Sequence, residues 1–245
     1  MISRLHIGTA GWSIPKAVSD DFPRDGSHLQ RYAQRLNGVE INSSFYRPHK
    51  PDTYARWAAA VPEAFRFSVK MPRSITHELR LSHCGSQLDR FLEETSVLRQ
   101  KLGCVLVQLP PSLRFDAAVV GRFLKMLRRR FEQPCVCEPR HETWFGANAD
   151  QLLAEFDIGR VAADPALVPS AASPGGSTKI VYYRLHGSPR MYYSNYDDAY
   201  LKSLAAQLRI DASVTDAWCI FDNTAAGFAL SNALDLQRAS QTRKR

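Results

Sequence analysis

Residues 181–187 read Val-Tyr-Tyr-Arg-Leu-His-Gly, a short apolar run that ends in charged and hydrogen-bonding side chains. The same pattern returns along the chain, where apolar runs lead into Trp12, Glu40 and Asn42, Lys70, Gln108, Glu138 and Arg140, Asp164, and Asp222 and Asn223. Buried strands of a parallel sheet read as apolar stretches. Polar groups gathered at one end of each strand therefore predict a shared functional face.

Amphipathic segments with helical spacing separate these runs. They cover residues 29–36, 53–60, 88–102, 119–131, 149–156, 200–208 and 228–236. Strands that alternate with helices are typical of βαβ units around a parallel sheet. Eight such strands in 245 residues predict an α/β protein, a single-domain (β/α)8 TIM-type barrel.

One unit departs from the alternation. Residues 165–178 read PALVPSAASPGGST, with three prolines and no helical periodicity. We expect a helix-poor unit at about residues 165–180 that lies on the functional side, either as a lid or as a simple connection. The barrel is expected to span residues 1–237, and the basic segment 238–245 to form a disordered tail.

Composition narrows the class of protein. Apolar residues make up 44% and charged residues 23% of the chain, the balance of an ordinary globular protein. No apolar run is long enough to span a bilayer and the N-terminus lacks a signal-like stretch, so we expect a cytoplasmic protein with no membrane partner. The five cysteines, odd in number and mostly within apolar runs, favour reduced thiols. The net charge of +8 favours anionic partners, nucleic acid among them.

Strand parity sharpens the predicted face, because residues two apart in a strand point to the same side. The sets that share a side are Glu40 with Asn42, Glu138 with Arg140, and Tyr182 with Arg184 and His186. Charged groups should not face the packed helices, so we expect these sets to point into the barrel mouth. By the same parity, Cys135 and Cys137 should face the helices.

The residue types suggest acid–base chemistry on an anion. Glu40 and Glu138 are the candidate general acid and base, and His141 and His186 are further candidates for proton transfer. Alternatively, each carboxylate belongs to an ion-pair network that braces the barrel. The candidate substrate-binding residues are Trp12, Asn42, Lys70, Arg73, His77, Gln108, Arg140, Trp144, Asp164, Arg184, Asp222 and Asn223. Arginine binds phosphate or carboxylate through paired hydrogen bonds, so the cations among them indicate a small anionic ligand.

Cofactor motifs are scarce. No P-loop, G-x-G-x-x-G or G-x-S-x-G pattern occurs in the sequence, and we predict no organic cofactor. A divalent metal held by Glu138, Asp164 and His186 remains an open alternative, although no H-x-x-x-H spacing supports it. Aromatic residues follow several strands, and Trp12 and Trp144 are the preferred candidates for stacking on a ligand.

Several of these stretches resemble the YecE-like family, known as domain of unknown function 72. They are IGTAGW (7–12), VEINSSFYRPHKPDTYARW (39–57), FRFSVKMPRSITHELRL (65–81), LGCVLVQLPPSLRFD (102–116), EPRHETWF (138–145), YYRLHG (182–187) and FDNTAAGFALSNAL (221–234). The resemblance implies a TIM-type barrel and places most of the candidate residues at the family's motif positions. Two departures are Cys137-Glu138-Pro139-Arg140, in place of Val-Glu-Phe-Arg, and Asp222, in place of Asn.

Three functions follow as hypotheses. The first is an enzyme, of hydrolase or isomerase/lyase type, that acts on a small phosphorylated or carboxylated, carbohydrate-like substrate. The second is a nucleic-acid-binding protein or a metal-dependent phosphodiester hydrolase. The third is a non-catalytic protein that binds an anionic metabolite. The sequence does not determine the substrate, the metal content or the oligomeric state.

Overall fold

A computed structural model describes residues 4–241, which form a mixed α/β fold with largely parallel sheets. The strands are β1 (Leu5–Thr9), β2 (Gly38–Ile41), β3 (Arg66–Lys70), β4 (Leu102–Gln108), β5 (Cys135–Glu138), β6 (Ile158–Arg160), β7 (Ala162–Asp164), β8 (Gly175–Gly176), β9 (Ile180–Leu185) and β10 (Asp216–Phe221). The helices are α1 (His28–Ala33), α2 (Pro51–Ala59), α3 (Gly85–Ser96), α4 (Ala117–Arg128), α5 (Ala147–Glu155), α6 (Asp198–Val214) and α7 (Phe228–Gln241). Each α-helix overlaps one of the amphipathic segments, as the sequence predicts.

The strands form two sheets. The four-stranded sheet has the order β1-β10-β9-β7, and the six-stranded sheet has the order β2-β3-β4-β5-β6-β8. Every neighbouring pair is parallel except β6 and β8, which run antiparallel. The expected α/β class is therefore confirmed.

Side chains connect the two sheets where β1 passes β2. The hydroxyl of Tyr32, from α1, accepts a hydrogen bond from the Thr9 N–H at 2.9 Å and donates to the Gly38 carbonyl at 3.0 Å. Further along, the Gly11 N–H donates to the Glu40 carbonyl at 2.9 Å. Backbone groups that β1 and β2 leave unpaired are thus satisfied across the seam.

A continuous stretch of chain connects the sheets at their other edge. Strand β6 pairs with β5, and two residues later β7 pairs with β9. Between them, the Val161 N–H donates to the Cys137 carbonyl at 2.9 Å. Residues 158–164 therefore take part in both sheets.

Two apolar clusters reflect the two faces of the strands. The smaller one is formed by side chains from one face of the strands. It consists of Cys104, Leu106, Val136, Val161, Ile180, Tyr182, Trp218 and Ile220. The larger one joins the opposite strand faces to the helices and includes Cys135 and Cys137, as parity predicts. All five cysteines are buried and free.

The helix-poor unit after β7 lacks an α-helix, as expected, and is held in place by Arg160. It contains a short 3-10 helix (Pro169–Ala172) and strand β8. The buried Arg160 guanidinium donates to the carbonyls of Ser170 and Ser173 and pairs with Asp150 at 2.6 Å. These contacts hold the segment against β6 and favour a simple connection over a lid.

The final helix continues beyond the boundary that the sequence suggested. Helix α7 ends at Gln241, so residues 238–241 are helical rather than part of a disordered tail. The rest of the expected basic tail, residues 242–245, lies outside the described residues.

A methyl group at Gly8 is expected to disrupt the seam between β1 and β2. A Cβ atom there would collide with the Gly38 carbonyl and approach the Tyr32 hydroxyl to 2.9 Å. We expect Gly8→Ala to lower the free energy of unfolding by about 2 kcal/mol, as measured by urea denaturation. The matched control is Gly121→Ala in α4, where the nearest atom is 4.0 Å away and a gain of about 0.5–1 kcal/mol is expected. Equal stabilities for the two variants would contradict this account of the seam.

Candidate functional site

Arg184 lies at the centre of a buried cluster of charged side chains at the carboxyl ends of the strands. Its Nη2 lies 2.7 Å from Glu40 Oε1 and 3.0 Å from Asp222 Oδ2, and its Nη1 lies 3.1 Å from Glu138 Oε2. The Nε atom donates to Glu40 Oε2 at 3.0 Å. Acids from both sheets therefore converge on a single guanidinium group. The sequence predicts that these side chains share one end of the strands, and it leaves open which acids pair with Arg184.

His186 and Arg140 extend the cluster toward the mouth. His186 Nε2 lies 2.7 Å from Glu138 Oε1, and Nδ1 lies 3.1 Å from Asp222 Oδ2. Arg140 Nη2 lies 2.8 Å from the same Glu138 oxygen. Arg140 Nη2 also lies 2.8 Å from His186 Nε2, so contacts at both ring nitrogens hold the imidazole in one orientation.

Tyr182 and Ser68 support the cluster from below. The Tyr182 hydroxyl lies 3.1 Å from Glu40 Oε2 and 3.0 Å from Ser68 Oγ. Burial, and then the charge of Glu40, raise the pKa of Tyr182, so the phenol stays protonated as a donor. Neither residue is among the sequence-based candidates, although parity already places Tyr182 on the same side as Arg184.

The electrostatics favour ionised acids in this cluster. Burial alone would raise the pKa of Glu138, but Arg140, Arg184 and His186 outweigh burial and hold it well below the usual value. For Asp222, burial likewise opposes ionisation, yet Arg184 and His186 lower the pKa of its carboxyl group. Both lowered pKa values favour ion pairs with the cations around these carboxylates.

Lys70 is the cation of the site that these acids do not bind directly. It ends β3 and is 5% exposed, and its Nζ lies 4.2 Å from the centre of the Phe45 ring. Within residues 4–241, its Nζ makes no hydrogen bond or ion pair, and the Phe45 ring is the contact that the structure gives it. Burial, and then the charge of Arg184, lower the pKa of Lys70 to about 8, although Glu40, Glu138 and Asp222 oppose the shift.

Buried polar atoms without a partner gather at the same end of the strands. Among the described residues these atoms are Asn42 Oδ1, Arg140 Nε, Asn223 Oδ1 and, elsewhere, His6 Nδ1. Leaving such a group without a hydrogen bond costs about 1–3 kcal/mol, so each such atom in a native structure calls for an explanation. Asn42 and Arg140 thus each keep a sealed polar atom without a partner at the strand ends that carry the charged cluster.

Tyr192 covers part of this mouth, although no sequence pattern distinguishes it from the other aromatic residues. Its ring lies edge-on to His186 with centroids 5.9 Å apart, and its N–H donates to the His186 carbonyl. The residue has φ +69° and is 40% exposed. A left-handed turn in a loop of this kind has no sequence signal when the residue is a tyrosine, so only the structure shows its position.

Some sequence-based candidates pack elsewhere. Trp144 is only 1% exposed, packs against Phe115, and donates its indole N–H to the Leu113 carbonyl at 2.9 Å. A tryptophan sealed in this way stabilises the loop and has no face left for a ligand. His141 caps a short 3-10 helix, where its Nδ1 accepts a hydrogen bond from the Thr143 N–H.

The two candidates after β3 lie outside the cluster. Arg73 forms an ion pair with Glu78 at 3.0 Å, and both side chains are more than half exposed. His77 packs edge-on against Phe45, with 4.9 Å between the ring centres. Burial, and then the charge of Lys70, lower the pKa of His77. His77 and Lys70 therefore both contact the Phe45 ring.

Asp164 points away from the other acids. Its Oδ1 accepts a hydrogen bond from the Tyr196 hydroxyl at 2.8 Å, and it lines a groove of about 340 Å³ together with Tyr183 and Tyr200. The set Glu138, Asp164 and His186 is therefore not assembled. Within residues 4–241, no three His, Cys, Asp or Glu side chains are grouped as they would be around a metal ion.

The remaining candidates are at the rim or beneath it. Trp12 is partly exposed and packs edge-on against Trp57, with 5.0 Å between ring centres. Gln108 ends β4 in register with Glu138 and is partly exposed. The Asn223 Nδ2 donates to the Ser194 carbonyl at 2.9 Å, which fixes the loop after β9.

Grooves on the surface surround the cluster rather than open onto it. The groove of about 310 Å³ is lined by Phe45, Arg73 and Glu78, and another of about 240 Å³ is lined by Thr9, Gly11 and Thr224. Glu138, Arg184 and His186 are each at most 1% exposed. A ligand at the mouth would therefore contact the outer cations and not these three.

Comparisons with known proteins assign the family. The model of the family described as "Protein of unknown function DUF72" matches residues 6–245. The chain belongs to the DUF72 family. Among named relatives, UPF0759 protein YecE of Escherichia coli (strain K12) is 30% identical over 148 residues, 60% of this chain and 52% of YecE. This match spans about half the length of YecE. UPF0759 protein YunF of Bacillus subtilis (strain 168) is 23% identical over an alignment of 259 residues, 93% of this chain and 92% of YunF.

Crystal structures of DUF72 proteins share the fold. EF0366 of Enterococcus faecalis V583 superposes with a TM-score of 0.81 at 22% identity, over 98% of this chain and 97% of that chain. TM1631 of Thermotoga maritima MSB8 gives a TM-score of 0.79 at 23% identity, over 96% of this chain and 98% of that chain.

No helix in residues 4–241 is long and apolar enough to cross a membrane.

Removing the charge of Lys70 is expected to stabilise this DUF72 protein at neutral pH. With a pKa near 8 in the folded state and about 10.5 in the unfolded state, the unfolded chain binds more protons between these values, so stability rises with pH there. We expect Lys70→Met to raise the free energy of unfolding by about 1–3 kcal/mol at pH 7, with a smaller gain at pH 10.

Urea denaturation at pH 7, 8.5 and 10 measures this difference. The control is Lys179→Met, because Lys179 is exposed and pairs with Asp157 on the surface. A loss of stability in Lys70→Met at pH 7 would mean that the Lys70 ammonium is firmly bound, contrary to the geometry.

Proposed function

We propose that the protein is an enzyme that binds a small anionic, carbohydrate-like substrate at the carboxyl ends of its strands. In this proposal Arg140 contacts the anion, and Lys70 faces the reacting part of the substrate and transfers protons. The observation that carries the proposal is that an uncommitted ammonium group and buried, unpartnered atoms of Arg140 and Asn42 all lie at the carboxyl ends of β2, β3 and β5. Charged and polar groups left unsatisfied in this way are suited to a ligand rather than to packing.

The proposal treats the two sheets as one closed (β/α)8 barrel. Its support is the Tyr32 seam between β1 and β2 and the shared stretch 158–164 at the other edge. In barrels of this type the active site lies at the carboxyl ends of the strands. The charged cluster lies at that end.

The buried acids hold the site in shape. Glu40 binds Arg184 through both carboxylate oxygens, and Glu138 is shared by Arg184, Arg140 and His186. An ionised carboxylate with these partners is a poor proton donor, so the ion-pair alternative suits Glu138 better than a general acid role. We propose that Glu40 and Glu138 are positioning residues and that Lys70, with a pKa of about 8, performs acid–base chemistry near neutral pH.

Ligand binding by Arg140 variants tests this proposal. Titration calorimetry with ribose 5-phosphate, glucose 6-phosphate and pyruvate, with ribose as the neutral control, is expected to show binding of anions only. Arg140→Gln should weaken that binding by about tenfold or more, the value of one charge-assisted hydrogen bond. The matched control, Arg130→Gln, changes an exposed arginine of the region after α4 that pairs with Asp89, and it should bind as the unaltered protein does.

A short DNA duplex and a single strand complete the panel, because the net charge of +8 also suits nucleic acid. Salt-dependent DNA binding that both arginine variants weaken equally would favour the nucleic-acid alternative. Together with a lack of response to the small anions, that result would overturn the proposed function.

A further inference from the structure

The surroundings of the Lys70 ammonium group differ from those of Lys101, which is the other lysine with a partly buried side chain among residues 4–241. Lys101 Nζ donates to the carbonyls of Ala58 and Val61 at 2.8 and 2.9 Å, so its ammonium group is fully engaged. Lys70 Nζ has only the face of the Phe45 ring, at 4.2 Å, within the described part of the chain. A lysine at the end of a strand without hydrogen-bond acceptors gains little from staying charged.

The backbone beneath Lys70 is rigidly held. The Ser44 hydroxyl donates to the Lys70 carbonyl at 2.7 Å, and the next residue, Met71, donates its N–H to the Leu106 carbonyl at 2.9 Å. The Phe45 ring limits the directions in which the side chain can extend. The amine therefore extends from a fixed base, as a nucleophile that must meet a bound substrate requires.

We propose that Lys70 forms an imine with the carbonyl carbon of a substrate that also carries a carboxylate or phosphate. This inference rests on the proposed function, because it places Arg140 on the anionic group, and it names the substrate class as an aldehyde or ketone. The neutral amine attacks the carbonyl carbon, and a C–N bond replaces the C–O bonds. The oxygen leaves as water after taking one proton from the amine and one from solvent, and a protonated imine remains.

Desolvation and neighbouring charge make this amine reactive. At pH 7, a pKa of about 8 leaves about one amine in ten neutral, against about one in 3,000 for an ordinary lysine. A desolvated lysine beside another cation is a recognised form of activated nucleophile. Lower basicity reduces the intrinsic reactivity of an amine, so we expect a net advantage of about tenfold or more rather than the full ratio.

Reductive trapping tests the inference directly. The whole protein is incubated at pH 7 with glyoxylate and sodium cyanoborohydride, which reduces a protonated imine to a stable secondary amine and leaves the free aldehyde largely intact. The labelled lysines are mapped by peptide mass spectrometry. Lys70 should carry the carboxymethyl group at least about ten times faster than Lys101 in the same sample. Lys70→Arg should lose this adduct, whereas Lys101→Arg should leave the labelling of Lys70 unchanged.

The pH dependence distinguishes Lys70 from surface lysines. The charged and titratable groups that face it are Glu40, Glu138, Arg184 and Asp222, with His77 beyond Phe45. Trapping at Lys70 should rise with pH and level off near pH 8, whereas trapping at an exposed lysine such as Lys179 should keep rising toward about pH 10.

The remaining outcomes distinguish the imine at Lys70 from the proposed function on which it rests. Glyoxylate binding that depends on Arg140, without preferential labelling of Lys70, would overturn the imine and leave the proposed function in place. Equal labelling of Lys70 by glyoxylate and by neutral propionaldehyde would support the imine and contradict the anion contact. Absence of both binding and labelling would overturn both.

Discussion

The charge of Arg184 is the constraint on which the rest of this structure depends. A guanidinium group that is 1% exposed would cost many kcal/mol unless carboxylates surrounded it. Glu40 in β2, Glu138 in β5 and Asp222, directly after β10, supply that compensation, so strands of both sheets are held at one point. The fold and the candidate site therefore depend on the same interaction.

This arrangement divides the charged residues by depth. The inner acids are committed to Arg184, whereas Lys70, Arg140 and Asn42 keep polar atoms without a partner. Unsatisfied polar groups reduce stability, and proteins commonly retain this kind of local cost where they bind or catalyse. The acids paired with Arg184 thus position other side chains, whereas the proposed function assigns ligand contacts and chemistry to the groups without partners.

The sequence predicts the fold well because the signals are periodic. Amphipathic segments locate the helices, and the parity of Tyr182, Arg184 and His186 places the cluster at the strand ends. The sequence predicts individual roles less well, since Trp144 and Tyr192 look equivalent as aromatic residues after strands. The loop conformation seals Trp144 in the core and leaves Tyr192 over His186. Similarly, no local pattern shows which acids pair with Arg184 and therefore which cation remains free.

The most direct test of this account is the free energy of unfolding of Arg184→Met, measured from pH 5 to pH 8 with Glu40→Gln/Arg184→Met for comparison. Three buried carboxylates lose their shared partner, so at pH 8 the single variant should lose about 3–5 kcal/mol. Unpaired buried acids have raised pKa values, so the loss should shrink as the pH falls and these acids become protonated. The double variant should recover part of the free energy of unfolding that Arg184→Met loses. A loss below about 1 kcal/mol that does not change with pH would contradict the central role of Arg184.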